Sequence, residues 1–299
     1  MVGDLPAGGP NANCCDELVA RSKRSGYGEN HMSLILVTND DGIRSPGLRA
    51  AVEAVLPLGE VVVVAPSSQQ TSAGRSLHGD KDGSFHRIEL NIGGKTVIGY
   101  HCECSPARAV LHAFDVLFSG TKPSLLVSGI NYGENLGANI TISGTVGAAI
   151  QAAAHGVPGL AMSLQTGIEN HRKHVDLEWD AARHFCREFA AWMLKTRLPA
   201  DVDILNVNVP ASATVKTPWK VTRLSRQNYF VNHLADPKPA SKIGEAVCRY
   251  GFDAAALEPD SDIRAIVENV VSVTPVSIDL TARVELESFL AGVEGGPKS

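Results

Sequence analysis

Short apolar runs alternate along this chain with segments whose apolar residues recur at helical spacing. Residues 34–37 and 61–65 are apolar throughout, which is typical of short strands buried on both faces. Between them, Ser45 followed by Pro46 predicts the start of a helix that continues to about Leu56. This first segment therefore predicts a βαβ unit.

The same alternation continues to about residue 210 and predicts an α/β fold, with a mostly parallel sheet and helices on both faces. Further strands are expected at 125–128, 159–163 and 204–209, and further helices at about 106–118, 145–155 and 177–195. Two segments depart from this rhythm. Residues 87–100 predict a hairpin, and a polar, irregular stretch over about 210–262 leads to a last strand at 270–275.

These patterns divide the chain into tails, a core and an extension. Residues 1–32 are rich in Gly, Pro, Asn and charge, without sustained apolar periodicity, so we expect a flexible N-terminal tail. We expect one domain over 33–285, with a core at about 33–210 and a C-terminal extension at about 211–285. Residues 286–299 are expected to be a C-terminal tail.

Composition narrows the class of protein. The chain has 299 residues, of which 44% are hydrophobic and 20% charged, with a formal net charge of -5. That apolar content suits an ordinary globular core, and the acidic balance argues against a dedicated nucleic-acid binder. The apolar runs are far shorter than the roughly 20 residues that a membrane span needs. Six scattered cysteines do not suggest a disulfide scaffold, and no signal-peptide core opens the chain, so a cytoplasmic location is expected.

Candidate functional residues lie at the carboxyl ends of the predicted strands, which is where open parallel sheets bind ligands. Asp40 and Asp41 follow the first strand, a hydroxyl-rich loop at 66–76 follows the second, and Asn131 follows the strand at 125–128. Adjacent carboxylates repel unless a cation or a shared proton compensates, and hard divalent cations bind carboxylate, amide and hydroxyl oxygens. In isolation Asn-Asp-Asp-Gly also reads as a turn, but its position favours metal binding.

A second candidate is the start of an Ala-rich helix at Ser143, Gly144 and Thr145. Free backbone N–H groups and the helix dipole at such a position favour a phosphate, although a plain N-cap explains the same residues equally well. The chain has neither a Walker A motif nor G-x-G-x-x-G after the first strand, so ATP-type and dinucleotide sites have little support.

Four separated motifs, in order, resemble those of the SurE (survival protein E) family. They are ILVTNDDGI at 35–43, VAP at 64–66, VSGINYGENLG at 127–137 and SGTVGAA at 143–149. The resemblance covers about residues 33–285. It implies a Rossmann-like three-layer fold, dimers or tetramers formed through the C-terminal extension, and metal-dependent hydrolysis of nucleoside 5′-monophosphates.

The resemblance also implies site residues. Asp40, Asp41 and Asn131 match metal ligands of the family, and the fourth ligand is a serine five residues after the Pro of the Ala-Pro motif. This chain has Thr71 there, followed by Ser72. Thr71 keeps the hydroxyl oxygen and is favoured, with Ser72 as the alternative.

The resulting hypothesis is a 5′-nucleotidase with catalytic Asp40 and Asp41, one divalent cation per subunit (Mg²⁺ or Mn²⁺), and attack by water. The residues expected to hold the phosphate are Asn39, Ser143, Gly144 and Thr145. The main alternative is a non-catalytic nucleotide or phosphate sensor that uses the same edge of the sheet, and a metal-dependent hydrolase of other esters is a further one. The expected partners are a nucleoside monophosphate and further copies of the chain, as a homodimer or homotetramer.

Overall fold

The computed structural model describes residues 32–171 and 173–294, the side chains of 291–294 excepted. Within them, nine strands form one sheet: β1 (Ser33–Thr38), β2 (Gly59–Pro66), β3 (His86–Ile92), β4 (Lys95–Cys102), β5 (Leu125–Tyr132), β6 (Gly159–Leu164), β7 (Ile204–Val209), β8 (Trp219–Val221) and β11 (Val271–Val276). A separate antiparallel pair consists of β9 (Phe230–His233) and β10 (Val247–Tyr250).

The large sheet has the order β3-β4-β2-β1-β5-β6-β7-β11-β8. Its centre, from β4 to β7, is parallel throughout. The edge strand β3 pairs antiparallel with β4 as the predicted hairpin, and β11 returns antiparallel to β7. The predicted α/β class with a mostly parallel sheet is therefore confirmed.

The helices cover both faces of this sheet. They are α1 (Pro46–Val55), α2 (Pro106–Val116), α3 (Gly144–Ala153), α4 (Asp180–Lys195), α5 (Asp262–Val267) and α6 (Leu286–Glu294). Residues of α1 and α4 share one buried cluster, and residues of α2 and α3 share another. The molecule is thus three layers deep, with the sheet in the middle.

Strand β1 shows why its apolar run is continuous. Ile35 and Val37 pack into the cluster with α1 and α4, while Leu36 packs into the cluster with α2 and α3. All three side chains are 0% exposed. Since alternate residues of a strand point to opposite faces, a strand covered on both sides must be apolar at every position.

The C-terminal extension adds to the core instead of standing apart from it. Its strands β8 and β11 continue the main sheet, and the Asp262 carboxylate accepts a hydrogen bond from the Gly137 backbone N–H at 2.7 Å. A third apolar cluster, which includes Leu136, Tyr229 and Ile263, lies at this junction. The extension therefore abuts the loop that follows β5.

Several boundaries differ from the sequence prediction. Strand β5 continues to Tyr132, because its pairing with β6 resumes after a register shift between Ser128 and Asn131. Helix α6 lies within the segment expected to be a C-terminal tail. The predicted flexible tail at 1–32 lies outside the described residues except for Met32.

In the described part of the chain, no helix combines the length and the apolar character needed to cross a membrane.

Candidate active site

The two adjacent carboxylates lie directly after β1, in the turn that leads to α1. Asp40 is 6% exposed and Asp41 is 3% exposed. The Asn39 side chain donates to the Gly42 carbonyl at 3.1 Å, and the backbone N–H of Ser45 donates to the same carbonyl. The sequence therefore folds locally as a turn, and this turn fixes both aspartates at the carboxyl edge of the sheet.

Asp40 is held by the first residues of α3. Its Oδ1 accepts a hydrogen bond from the Thr145 hydroxyl at 2.6 Å, and the Thr145 backbone N–H also donates to this carboxylate. A Cβ atom on Gly144 would lie 2.7 Å from both Cβ and Oδ2 of Asp40. Only glycine permits this close approach between the helix start and the carboxylate.

Asp41 is held from two other elements. Its Oδ1 accepts from Gln69 Nε2 at 2.7 Å, and its Oδ2 accepts from the backbone N–H of Tyr132 at 3.2 Å. Gln69 Nε2 also donates to the His171 carbonyl at 2.8 Å. The loop after β2 and the loop around His171 are thus joined at this carboxylate.

Burial sets the electrostatics of the pair. Desolvation, reinforced by the charge of Asp41, raises the pKa of Asp40 to about 7, although the hydrogen bonds from Thr145 oppose the shift. Desolvation likewise raises the pKa of Asp41 to about 6. Two charges in such a place are costly without a compensating partner. The pair is therefore suited to a cation or a proton.

A cavity of about 690 Å³ opens beside these carboxylates. This volume falls within the usual range for small-ligand sites. The cavity brings together six of the predicted site residues, namely Asp40, Asp41, Thr71, Ser72, Asn131 and Ser143.

The donor set fits a hard divalent cation. Asn131 turns its Nδ2 group toward the Gly133 carbonyl at 2.7 Å, which leaves its Oδ1 as the atom that would bind a cation. The described residues contain no group of three or more His, Cys, Asp or Glu side chains placed so that they alone could hold a metal ion. A cation at the aspartate pair would therefore take its other protein ligands from Asn131 and from the hydroxyls of Thr71 or Ser72, a set that Mg²⁺ and Mn²⁺ accept.

The residues predicted to hold phosphate differ in whether they face the cavity. The Ser143 Oγ accepts from the Val146 N–H at 3.1 Å as the N-cap of α3, and Ser143 also lines the cavity. Thr145 is fully buried and directs both its donors to Asp40. Asn39 is fully buried in its turn. Phosphate contacts by these residues and by Gly144 stay predictions.

Comparisons with known proteins show the family of this chain. The family described as Survival protein SurE matches residues 35–231. The chain belongs to the SurE family. The resemblance inferred from the four motifs is therefore confirmed.

Named relatives in the SurE family match most of the chain. The 5′-nucleotidase SurE of Methanothrix thermoacetophila is 41% identical over 268 residues, which span 87% of this chain and 98% of that protein. The 5′-nucleotidase SurE of Thermococcus gammatolerans is 42% identical, over 85% of this chain and 94% of the relative. The crystal structure of the SurE protein from Aquifex aeolicus superposes with a TM-score of 0.69 at 29% identity, covering 87% of this chain and 99% of that one.

Sequence reasoning missed several residues of this SurE site. Gln69 lies in the hydroxyl-rich loop that was flagged as a whole, but nothing in the sequence shows that its side chain reaches Asp41. Glu134, His171 and Phe230 also line the cavity. Glu134 lies within a quoted motif, whereas His171 lies in an irregular segment and Phe230 begins β9, in a stretch that was expected to be irregular.

Proposed function

We propose that this chain is a metal-dependent phosphomonoesterase that hydrolyses nucleoside 5′-monophosphates to a nucleoside and phosphate. The observation that carries the proposal is the buried Asp40–Asp41 pair in the lining of a cavity large enough for a nucleotide, with the start of α3 directly beside it. The relatives named 5′-nucleotidase SurE, which match nearly their full length, support the same reaction.

Asp40, Asp41 and Asn131 would hold the cation, together with Thr71, whose position matches the family's serine. Ser72 is the alternative to Thr71, since both line the cavity. A bound Mg²⁺ or Mn²⁺ supplies positive charge that polarises a phosphoryl oxygen and makes a water molecule more acidic.

The start of α3 would receive the phosphate. Backbone N–H groups in the first turn of a helix point out of its N-terminus, and the helix dipole favours an anion there. Ser143 lines the cavity at this point, and Gly144 follows it. Thr145 has a positioning role, because its two hydrogen bonds orient the Asp40 carboxylate.

Water is the assigned nucleophile. Both carboxylates are assigned to the cation, with Thr145 orienting Asp40 and with Gln69 and Tyr132 orienting Asp41, so attack on phosphorus is assigned to a water molecule. The oxygen of water adds to phosphorus, the bond to the ribose O5′ breaks, and the nucleoside leaves with a proton.

The test is phosphate release from matched 5′- and 3′-nucleoside monophosphates, with Mg²⁺ or Mn²⁺ and then with EDTA. Release from the 5′-monophosphates that EDTA abolishes is the expected result. A folded protein that releases no phosphate with either metal would instead be a sensor, and cleavage of a carboxylic ester in preference to phosphate would assign a different hydrolase.

We further propose that the chain assembles as a homodimer or homotetramer through its C-terminal extension. Helix α6 follows the extension and exposes the side chains of Leu286, Phe289 and Leu290. Light scattering with and without residues 286–299 measures the contribution of this segment to the assembly.

A further inference from the structure

The cavity contains a carboxylate that the proposed reaction does not use. Glu134 is 3% exposed and lies three residues after the proposed metal ligand Asn131, close to the loop that carries His171. Three residues span at most about 10 Å of chain, so Glu134 lies within reach of the nucleoside part of a substrate whose phosphate is at the metal site.

One oxygen of the Glu134 carboxylate has a donor within hydrogen-bond distance. Its Oε1 accepts from Gln165 Nε2 at 3.5 Å, and the Tyr229 hydroxyl and the Thr166 backbone lie close enough to oppose the rise in the pKa that burial causes. Among the described residues, its Oε2 has no hydrogen-bond partner although it is buried.

A second buried atom without a partner belongs to another residue that lines the cavity. His171 Nε2 has no hydrogen-bond partner among the described residues, while the ring bonds to the Thr166 backbone. A neutral ring that donates to this backbone through Nδ1 has Nε2 as an acceptor. His171 packs against Gly133 and meets the Phe230 ring edge-on, with centroids 5.2 Å apart.

Two buried acceptors without donors are costly, because each has lost its water without replacing it. Burial also raises the pKa of Glu134 and lowers the pKa of His171, as expected for groups that water reaches poorly. Both residues line the cavity, so a ligand there that presents N–H or O–H groups would satisfy both atoms once the two side chains turn toward it. A nucleoside carries such donors on the ribose diol and on the edge of the base, and Phe230 supplies an apolar surface beside them.

We propose that Glu134 Oε2, together with His171 Nε2, accepts hydrogen bonds from donors of the nucleoside and thereby selects nucleotides over other phosphate monoesters. This assignment rests on the proposed phosphatase function and adds its substrate-recognition residues. Glu134 acts here in substrate binding, whereas the aspartate pair serves the chemistry.

The test compares Glu134→Gln with the unaltered chain on a nucleoside 5′-monophosphate and on p-nitrophenyl phosphate, which has no donors beyond its phosphate. Gln165 Nε2 donates to Oε1 and would retain the carbonyl oxygen of the new glutamine there, so the glutamine NH₂ group would replace the acceptor Oε2 with a donor. We expect kcat/KM for the nucleotide to fall at least about tenfold, because the glutamine NH₂ group would then face a donor of the nucleoside instead of accepting its hydrogen bond. Activity on p-nitrophenyl phosphate should stay within about twofold, since no contact to that substrate is lost.

Glu169→Gln is the matched control, because Glu169 is an exposed carboxylate on the same cavity. It removes the same charge and should leave the ratio of nucleotide to p-nitrophenyl phosphate activity unchanged. An equal loss on both substrates in Glu134→Gln, or no loss on either, would overturn the proposal.

Substrate analogues then locate the donor. A 2′-deoxynucleotide removes a ribose donor, and inosine monophosphate removes the 2-amino group of guanosine monophosphate. The analogue without the relevant donor should be disfavoured by the unaltered chain but not further disfavoured by Glu134→Gln. If both proteins discriminate every analogue equally, Glu134 does not bind the nucleoside. If the unaltered chain cleaves p-nitrophenyl phosphate but no nucleotide, the proposed function itself fails.

Discussion

Replacing Gly144 with alanine tests whether the start of α3 positions the aspartate pair. The added Cβ would lie 2.7 Å from Cβ and Oδ2 of Asp40, whereas non-bonded carbon atoms settle about 3.5–4.0 Å apart. The carboxylate or the helix start must therefore move by about 1 Å, a displacement of the size that costs roughly 100-fold in rate when it affects reacting groups. Because the Asp40 Cβ is fixed to the backbone, rotation of the side chain alone cannot relieve the contact.

The effect on stability should be much smaller than the effect on rate. Overpacking costs about 1–3 kcal/mol, and removing a helical glycine returns about 0.5–1 kcal/mol. We therefore expect a net loss in the free energy of unfolding of about 0–2.5 kcal/mol, and a fall in kcat/KM of about 100-fold with saturating Mg²⁺. Steady-state phosphate release and thermal unfolding measure the two.

Gly244→Ala is the matched control, since a Cβ at Gly244 meets nothing within 4 Å. It should leave both activity and stability unchanged. Full activity in Gly144→Ala would refute the argument, because it would show that the approach of α3 to Asp40 does not govern the site.

Two further substitutions test the electrostatics and the ligand set. Asp40→Asn should stabilise the metal-free protein at pH 8 by about 1–3 kcal/mol, and it should weaken metal binding. Burial raises the pKa of Asp40 to about 7, so at pH 8 the unaltered folded protein contains a buried charge that the Asn variant lacks. The cost of the buried charge is fully present above the pKa of Asp40 in the folded protein, and it disappears as the pH falls toward the pKa of Asp40 in the unfolded chain. The stability gained by Asp40→Asn, measured by urea unfolding, should therefore vanish near pH 4. A gain that is independent of pH would contradict this cause. Thr71→Val should weaken Mn²⁺ binding, measured by calorimetry, at least about tenfold. Ser72→Ala should leave Mn²⁺ binding unchanged. If Ser72→Ala weakens binding and Thr71→Val does not, Ser72 is the ligand.

The order of elements was predictable from the sequence because each central strand is covered on both faces. Residues 34–37 and 61–65 are continuously apolar for that reason, and the two-sided burial of Ile35 and Leu36 confirms the interpretation. Helix α6 was missed because it lies in the segment taken as a tail, although Leu286, Phe289 and Leu290 have helical spacing. They are exposed, so no core burial enforces their pattern.

The aspartates and Asn131 could be anticipated because parallel strands end at a shared edge of the sheet. The other residues that line the cavity could not be predicted from the sequence. Gln69 contacts both Asp41 and the carbonyl of His171, which is 102 residues away along the chain. Contacts between irregular loops depend on tertiary packing and have no periodicity that a sequence pattern could reveal.

The most direct test of the central claim is turnover by Asp41→Ala. The side chain accepts hydrogen bonds from Gln69 and Tyr132 in a site that is shaped by the backbone, so the substituted protein should fold, as judged by circular dichroism and thermal unfolding. Phosphate release from a nucleoside 5′-monophosphate with saturating Mg²⁺ or Mn²⁺ should fall to background. Undiminished, EDTA-sensitive release by the folded variant would contradict the assignment of the aspartate pair as the catalytic metal site.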